Sequence, residues 1–234
     1  MRFRWYDLPR MSRRGKFITF EGLDGVGKST QLRKLAQMLR TEGHKVVETR
    51  EPGGTATGEK IRRVLLDSGT EGLSPMAEMA LMFASRAQHI AELILPALER
   101  GAIVVCDRFT DSTEAYQGGG RKLGSEAVLE LHRVLCGNLQ PDLTILLDND
   151  LGKSIGRARR RNLKAQENAK KTGKHDHKDE NRFERQNRAF FARVRDGYKA
   201  IAERDPGRVV VVDASGEKGT TGRKIAEIVR RRLK

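Results

Sequence analysis

A glycine-rich loop near the N-terminus has the residue types and spacing of a phosphate-binding site. Residues 22–29 fit the pattern G-x-x-x-x-G-K-[ST] and end in Lys28 and Ser29, between an apolar run and a stretch with leucines at helical spacing. Glycines let backbone amides close around phosphate oxygens, the helix start adds a positive dipole, and the serine hydroxyl can ligate Mg²⁺. The loop therefore predicts that the chain binds a nucleoside triphosphate; the alternative is a glycine-rich turn before an ordinary helix.

Two further polar clusters follow apolar runs. The segment "TREPGGT" contains Arg50 and a turn whose Glu51–Pro52 bond is a candidate for the cis form. The segment "DRFTDSTEAYQGGGR" begins with Asp107 and Arg108, where an acid can reach Mg²⁺ and an arginine can reach a transferred phosphoryl group. Between them, "MFASRAQH" carries Arg86 on a predicted helix, where a functional and a structural arginine remain alternatives.

The elements that position these clusters are predicted to be parallel strands covered by helices. Five short apolar runs, mostly not alternating, are separated by long helix-compatible segments: "KFITFEG", "HKVVETR", "GAIVVCDR", "DLTILLD" and "RVVVVDAS". Helices are predicted at residues 28–40, 77–99, 125–136, 182–203 and 218–233, with Ser74 and Ser125 as possible caps. This order predicts a doubly wound α/β fold with ligands at the carboxyl ends of the strands.

Composition limits the domain count and the location. A chain of 234 residues with 37% hydrophobic content suits one compact core, so residues 16–234 are expected to form one domain after a basic extension at residues 1–15. That extension is a flexible tail, an organelle address or upstream codons before a start at Met11. No apolar segment approaches the roughly 18 residues that cross a bilayer, and the opening lacks the apolar centre of a signal peptide, so a cytoplasmic protein without a membrane partner is expected.

Charge and cysteine content limit the partners. The net charge of +15 is concentrated around residues 157–178 and in the closing "RRRLK", and it attracts any polyanion. Only 5% of the residues are aromatic and no stacking module is recognisable, so no specific nucleic-acid partner is expected. Cys106 and Cys136 lack metal-ligand spacing and are predicted to be buried thiols.

The segments "EGLDGVGKST", "TREPGGT", "ASRAQH" and "DRFTDSTEAYQGGGR", in this order and at these intervals, resemble the bacterial thymidylate kinase family from about residue 16 to the C-terminus. The resemblance implies a three-layer P-loop NTPase fold, a parallel five-stranded sheet flanked by helices, and a homodimer. It implies a transferase of dTTP biosynthesis that moves the γ-phosphate of ATP to dTMP with Mg²⁺, giving dTDP and ADP. The acceptor phosphate is already nearly doubly charged at neutral pH and needs no general base, so catalysis is expected to rest on positioning and charge neutralisation.

The resemblance assigns the donor nucleotide and the metal to the P-loop, the third strand and a lid at about residues 153–184. The ATP-binding residues are Gly22, Leu23, Asp24, Gly25, Val26, Gly27, Lys28, Ser29 and Thr30. The catalytic residues are Lys28, Asp107, Arg108, Arg157, Arg159 and Arg161. The metal ligands are Ser29, Asp107 and Glu184, although Glu184 is alternatively a sugar contact or an ordinary helix acid. Gly25 stands where one branch of the family has a basic residue, so the lid segment "GRARRR" is expected to supply that charge; a solvated charged face is the alternative.

The resemblance assigns the acceptor nucleotide to residues of all four segments. They are Asp24, Arg50, Pro52, Met82, Phe83, Arg86, Arg108, Thr113, Tyr116 and Gln117. The three arginines are expected at the acceptor phosphate, because a guanidinium bonds two phosphate oxygens at once, and Asp24 is expected at the 3′-hydroxyl.

The predicted base pocket departs from the family pattern. Met82 stands where the family has an aromatic residue and Phe83 follows it, so either is expected to contact the base. Thr113 and Gln117 match positions that face the thymine edge, and Tyr116 matches one that crowds a ribose hydroxyl.

Two other functions compete with this hypothesis. A P-loop kinase for another nucleotide or nucleoside is one; a nucleoside kinase would need a carboxylate base, for which Glu21 is the only obvious candidate. A nucleic-acid-binding NTPase is the other, suggested by the charge. The polar stretch at residues 162–180 is longer than expected for the lid, and its His175 and His177 are expected to be solvated rather than to bind metal.

Overall fold

The computed structural model describes residues 14–70, 72–171 and 182–233. The extension through residue 13, His175 and His177 lie outside these ranges. The strands are β1 (Phe17–Glu21), β2 (Val46–Arg50), β3 (Ile103–Asp107), β4 (Leu143–Asp148) and β5 (Val209–Asp213). The helices are α1 (Lys28–Thr41), α2 (Ala56–Leu66), α3 (Pro75–His89), α4 (Leu95–Glu99), α5 (Thr110–Thr113), α6 (Ser125–Cys136), α7 (Leu151–Lys171), α8 (Arg188–Arg204) and α9 (Lys218–Leu233). Two π-helical segments, Ile90–Ile94 and Glu114–Gly120, interrupt the α3–α4 and α5–α6 regions.

The five strands form one parallel sheet in the order β2-β3-β1-β4-β5. β1 and β4 consist almost entirely of buried residues, as expected for strands covered on both faces. The register pairs Phe20 of β1 with Asp107 of β3, and Arg50 of β2 also pairs with Asp107. The ends of three strands therefore meet at one level of the sheet. The predicted parallel five-stranded α/β architecture is confirmed.

The core lies in two layers, one on each face of the sheet. Ile18 and Phe20 face the layer beside α1, α8 and α9, whereas Phe17 faces the layer beside α3, α4 and α6. This alternation follows from the two-residue period of a strand. Cys106 and Cys136 are free and buried, as predicted.

Several helix predictions need correction. α2 and α7 were not predicted, and α8 begins at Arg188 rather than at residue 182, because the Asn187 side chain accepts a hydrogen bond from the Phe190 amide (2.9 Å) and so caps the helix. Ser74 caps α3 as predicted, but Ser125 does not cap α6, which begins after Gly124. None of the helices in the described ranges is long and apolar enough to traverse a bilayer.

Candidate active site

The loop between β1 and α1 presents open backbone amides. Gly22 and Gly27 have φ values of +128° and +106°, and a side chain at Gly22 would place its Cβ 2.3 Å from the Leu147 carbonyl oxygen. Gly27 precedes α1 in a left-handed conformation and offers no side-chain cap, so the first amides of the helix stay available to an anion. Lys28 Nζ donates to the Gly22 and Leu23 carbonyls, at 2.9 Å each. The loop is therefore shaped to receive phosphate.

Ser29 and Asp107 place two potential metal-ligand oxygens beside this loop. Ser29 Oγ donates to Asp107 Oδ2 at 2.7 Å, while Asp107 Oδ1 is buried and has no hydrogen-bond partner in the described structure. A hydroxyl and an unsatisfied carboxylate oxygen suit Mg²⁺, which usually takes one or two protein oxygens and completes its shell with phosphates and water. Across the described residues, no group of three or more His, Cys, Asp or Glu side chains forms a metal cage. The third predicted metal ligand, Glu184, forms an ion pair with Arg161, whose Nη2 lies 3.8 Å from Glu184 Oε1.

The Arg108 side chain has a partner at each end of its guanidinium group. Nη1 donates to Ser112 Oγ (2.9 Å) and to the Tyr198 hydroxyl (3.0 Å), and Nη2 donates to Asp24 Oδ1 (2.8 Å) and the Tyr116 hydroxyl (3.2 Å). The guanidinium carbon also lies 4.9 Å from the centre of the Tyr116 ring. Its backbone has φ of +72°, which is uncommon for a residue other than glycine. The fold therefore fixes this cation from several sides.

Opposite charges surround the P-loop. Burial opposes ionisation of Asp24, but the adjacent Arg108 and Lys28 cations outweigh it and hold its pKa below the usual value. Burial also lowers the pKa of Lys28, with Arg108 acting in the same direction. Asp24 is thus a firmly ionised carboxylate that offsets the charge of the Lys28 and Arg108 cations.

Glu21, at the end of β1, lies beneath Arg108. Its Oε2 accepts from Ser112 Oγ (2.5 Å) and from the Tyr198 hydroxyl (3.0 Å), and its Oε1 accepts from the Phe109 amide (2.7 Å). Burial, together with the Asp111 carboxylate, raises the pKa of Glu21 to about 7. The sequence indicated Glu21 only as a candidate base and gave no indication of Ser112 and Tyr198. Ser112 lies within "DRFTDST", but Tyr198 belongs to no motif and its only signal is its position on a predicted helix.

Arg86 belongs to a second buried cluster. Its Nε donates to Glu51 Oε2 (2.7 Å) and its Nη2 donates to Thr113 Oγ1 (2.9 Å), while Nη1 is buried without a partner in the described structure. Glu51 also bonds His89 Nδ1 at 2.9 Å. Arg86 is 2% exposed and lies 5.0 Å from the Phe83 ring centre. The structure thus places Arg86 with Thr113 and Phe83, and places Arg108 with Asp24 and Tyr116.

The remaining predicted acceptor residues surround these clusters. Arg50 is half exposed and donates to the Glu59 carboxylate at 3.1 Å. Pro52 is buried and follows a cis peptide bond, as the sequence suggested. Gln117 Nε2 donates to the buried Glu78 at 2.7 Å. Of the two candidates for the base contact, Phe83 is fully buried in the core beside α3.

Met82 is partly buried and packs against the other core layer, so the two neighbouring side chains point to different surroundings.

The π-helical segment that carries Tyr116 packs directly on α8. A Cβ at Gly120 would lie 2.6 Å from the Phe190 ring, and one at Gly197 would lie 3.1 Å from the Ala115 Cα. Arg193 Nη2 donates to the Gly120 carbonyl at 2.9 Å. The glycines of "QGGG" and of α8 therefore allow the two backbones to approach closely.

A cavity of about 400 Å³ opens on the outer side of the P-loop. Its lining includes Gly27 of the loop, Thr30 in the first turn of α1, Arg157 of α7, and Gly216 and Lys218 after β5. The cavity adjoins the open amides at the start of α1, so it has the place and size for the nucleoside of a triphosphate whose phosphates lie on those amides.

α7 rests on the P-loop at Gly25. A Cβ at this glycine, whose φ is +83°, would lie 2.2 Å from the Ser154 carbonyl oxygen. The predicted lid arginines occupy different places: Arg157 lines the cavity, Arg161 faces Glu184, and Arg159 is exposed. Leu23 and Val26 are buried in the core and anchor the loop.

The chain is similar to known proteins of one family over most of its length. A family model described as thymidylate kinase matches residues 20–225. A thymidylate kinase of Geobacter sp. (strain M21) is 47% identical over 219 residues, covering 94% of this chain and 93% of that protein. One of Pseudomonas fluorescens (strain Pf0-1) is 50% identical over 200 residues, covering 86% and 88%. The crystal structure of thymidylate kinase from Ehrlichia chaffeensis aligns with a TM-score of 0.69 at 30% identity, covering 93% of this chain and 99% of that one.

Proposed function

The chain belongs to the thymidylate kinase family, and we propose that it performs the family's reaction with the side chains described above. It is a dTMP kinase, which transfers the γ-phosphate of ATP to dTMP and yields dTDP and ADP. The observation that carries the assignment of residues is the strand register, because it brings the Ser29–Asp107 pair and the Arg108 guanidinium together where β1 and β3 end. A kinase for another nucleotide and a nucleic-acid-binding NTPase are not favoured.

The donor is proposed to bind across the P-loop. The open amides at the start of α1 bind the β- and γ-phosphates, and the nucleoside occupies the cavity beneath Arg157. Lys28 Nζ now contacts two backbone carbonyls, and it would exchange them for phosphate oxygens when ATP binds. The cation then moves with the charge that develops during transfer.

Ser29 and Asp107 are the residues that would hold Mg²⁺. The unsatisfied Oδ1 of Asp107 and the Ser29 hydroxyl offer it two hard oxygen ligands on the phosphate side of the loop. When bound, the ion offsets the negative charge of the donor phosphates. Glu184 stays a predicted ligand of the metal or the sugar, but its ion pair with Arg161 supports a role in holding α7 in place rather than in binding the metal.

The acceptor is proposed to bind between the two arginine clusters. Arg108 and Arg50 neutralise the phosphate of the acceptor nucleotide, and Asp24 accepts a hydrogen bond from its 3′-hydroxyl. The Nη1 atom of Arg86, which has no partner among the described residues, is available to donate to an oxygen of the same nucleotide. No general base is assigned, because the phosphate oxygen is already ionised at neutral pH. α7 covers the P-loop and would limit the access of water, which competes for the phosphoryl group.

A homodimer is part of the proposal. The exposed large apolar side chains in the described ranges include Val64 on α2, Met76 on α3, and Leu129 and Val134 on α6. α3 packs against both α2 and α6, and apolar residues left exposed on neighbouring helices favour association with a second copy. Sedimentation velocity would measure the mass in solution. A cytoplasmic location remains the prediction made from the sequence.

A coupled assay of ADP release tests the function. It compares dTMP, dUMP, dCMP, dGMP, AMP and thymidine as acceptors with ATP and Mg²⁺ at equal concentrations. We expect the highest kcat/KM with dTMP and no transfer to thymidine, which has no phosphate for the arginines to hold. Purified protein that forms no dTDP under these conditions would overturn the assignment.

A further inference from the structure

We propose that Tyr198 is a positioning residue for phosphoryl transfer, because its hydroxyl holds one end of the Arg108 guanidinium and ties the reaction centre to α8. Tyr198 lies 90 residues from Arg108 in sequence and outside every segment that carries the family resemblance. The inference rests on the function proposed for Arg108, and the experiment below distinguishes a failure of the role of Tyr198 from a failure of the function of Arg108.

Arg108 depends on acceptors from other elements to keep its orientation. Each of its two Nη atoms donates to two protein oxygens, and the two acceptors of Nη1 are Ser112 and Tyr198. An arginine side chain that approaches a phosphate needs a fixed geometry, because misplacement of about 1 Å costs on the order of 10²-fold in rate. The acceptors of Nη1 therefore influence where the guanidinium meets the phosphate.

The Tyr198 hydroxyl is itself fixed by a compact set of oxygens. It lies 2.8 Å from Ser112 Oγ and 3.0 Å from Glu21 Oε2, while Ser112 Oγ lies 2.5 Å from the same Glu21 oxygen. Both hydroxyls accept from Arg108 and donate to Glu21, so they connect the buried carboxyl group to the cation without direct contact between the two. Tyr198 is buried, and its hydroxyl lies in this polar cluster rather than in solvent.

α8 is well attached to the segment that carries Tyr116. Arg204 bonds both oxygens of Glu114, at 2.5 and 2.8 Å, and Gly197, next to Tyr198, packs against Ala115. The backbone beside Tyr198 is therefore held by the same segment that supplies another Arg108 contact. A phenylalanine would fill the same space, so packing of the ring alone does not explain a hydroxyl with three polar partners.

The test is Tyr198→Phe, measured in the otherwise unchanged protein and in an Arg108→Lys background. Thr19→Val is the matched control, because Thr19 is also fully buried and loses one hydroxyl bond, to Thr144 Oγ1 (2.8 Å), without a contact to Arg108. We expect Tyr198→Phe to lower kcat about tenfold, as for loss of orientation of a transition-state group, with KM for ATP within about twofold. In the Arg108→Lys background the same substitution should leave kcat unchanged, because the contact it removes is already absent.

The outcomes separate the possible failures. A similar fall in kcat in both backgrounds, or an equal fall in Thr19→Val at matched thermal stability, would overturn the positioning role and leave a structural tyrosine. Wild-type kcat in Arg108→Lys would instead refute the function of Arg108. Absence of dTDP formation by the wild-type protein would refute the proposed function itself.

Discussion

Asp24 Oδ1 accepts a hydrogen bond from Arg108 Nη2 at 2.8 Å, so the carboxylate of the P-loop pairs with the arginine that follows β3. The two residues come from loops that leave adjacent strands, β1 and β3. This ion pair therefore joins the P-loop to the proposed phosphoryl-binding cation. Lys28 Nζ lies 3.7 Å from the same Asp24 oxygen, so one carboxylate balances two cations.

Arg108→Ala is expected to lower kcat by about 10²- to 10³-fold, as for loss of a single charge-stabilising group. Its cation acts on the phosphoryl groups, so we expect the variant to lose turnover while it remains folded at the assay temperature. Steady-state kinetics and thermal unfolding would be compared with Arg133→Ala, which removes an exposed arginine paired only with Glu130 on its own helix. Wild-type turnover in Arg108→Ala would contradict the assignment.

Lys28→Ala is expected to abolish transfer and leave a folded protein. The ammonium group donates to two backbone carbonyls, and its loss leaves unchanged the glycines whose positive φ values shape the loop, so the fold should persist. Circular dichroism and the ADP-release assay would test this, with Lys34→Ala, an exposed lysine on the same helix, as the control. The interpretation of the loop would be wrong if ATP turnover were unaltered.

Gly25→Ala is expected to weaken ATP binding and turnover because its new Cβ would meet the Ser154 carbonyl of α7 at 2.2 Å. Gly43→Ala is a matched control: Gly43 also has a positive φ, +88°, but no atom lies within 4 Å of the added Cβ. Both changes should cost about 1 kcal/mol of backbone strain. Isothermal titration with an ATP analogue should show a rise in Kd of at least tenfold for Gly25→Ala alone; equal affinities would argue against contact between α7 and the loop.

Stability is expected to fall between pH 4.5 and pH 7 because of Glu21. The unfolded chain releases this proton near its ordinary pKa of 4.5, whereas burial and Asp111 raise the pKa of folded Glu21 to about 7. In that window the native state binds more protons, so rising pH favours unfolding, by up to about 3 kcal/mol. Urea unfolding of Glu21→Gln, which cannot ionise, should show a smaller loss from pH 5 to pH 8 than the wild type. Parallel pH curves for the two proteins would refute the raised pKa.

The sequence was most informative where local chemistry and local structure agree. The strand runs are short and rich in Val, Ile, Leu and Phe, and the P-loop glycines must fall between a strand and a helix, so the sheet and its first loop could be predicted. α7 was missed because its sequence is dominated by charge; among the α7 side chains that the structure describes, the apolar Leu151, Ile155 and Ala158 mark a packed face. α2 was missed although Thr55 caps it, with its side chain accepting from the Gly58 amide.

The contacts of the site were less predictable than its elements. A motif indicates that Arg108 lies near phosphate, but its bonds to Ser112 and Tyr198 depend on how α8 packs over a distant segment. The side chains of Met82 and Phe83 likewise enter different core layers because of the orientation of α3 about its own axis. Such contacts are set by tertiary packing, which the spacing of residues along the chain does not predict.

The strand order predicts that parts of the protein open at different free energies. β1 is hydrogen-bonded to a neighbour on each side, so exchange of its amide hydrogens requires separation of the sheet, whereas β2 and β5 form the edges and can fray alone. Lys28 follows β1, and Asp107 ends β3, which also has two neighbours. The peripheral parts, Arg50 at the end of β2 and the cavity residues after β5, belong to the edges. We therefore expect the groups proposed to react at the interior of the sheet to stay aligned while the edge strands open locally as nucleotides bind and leave.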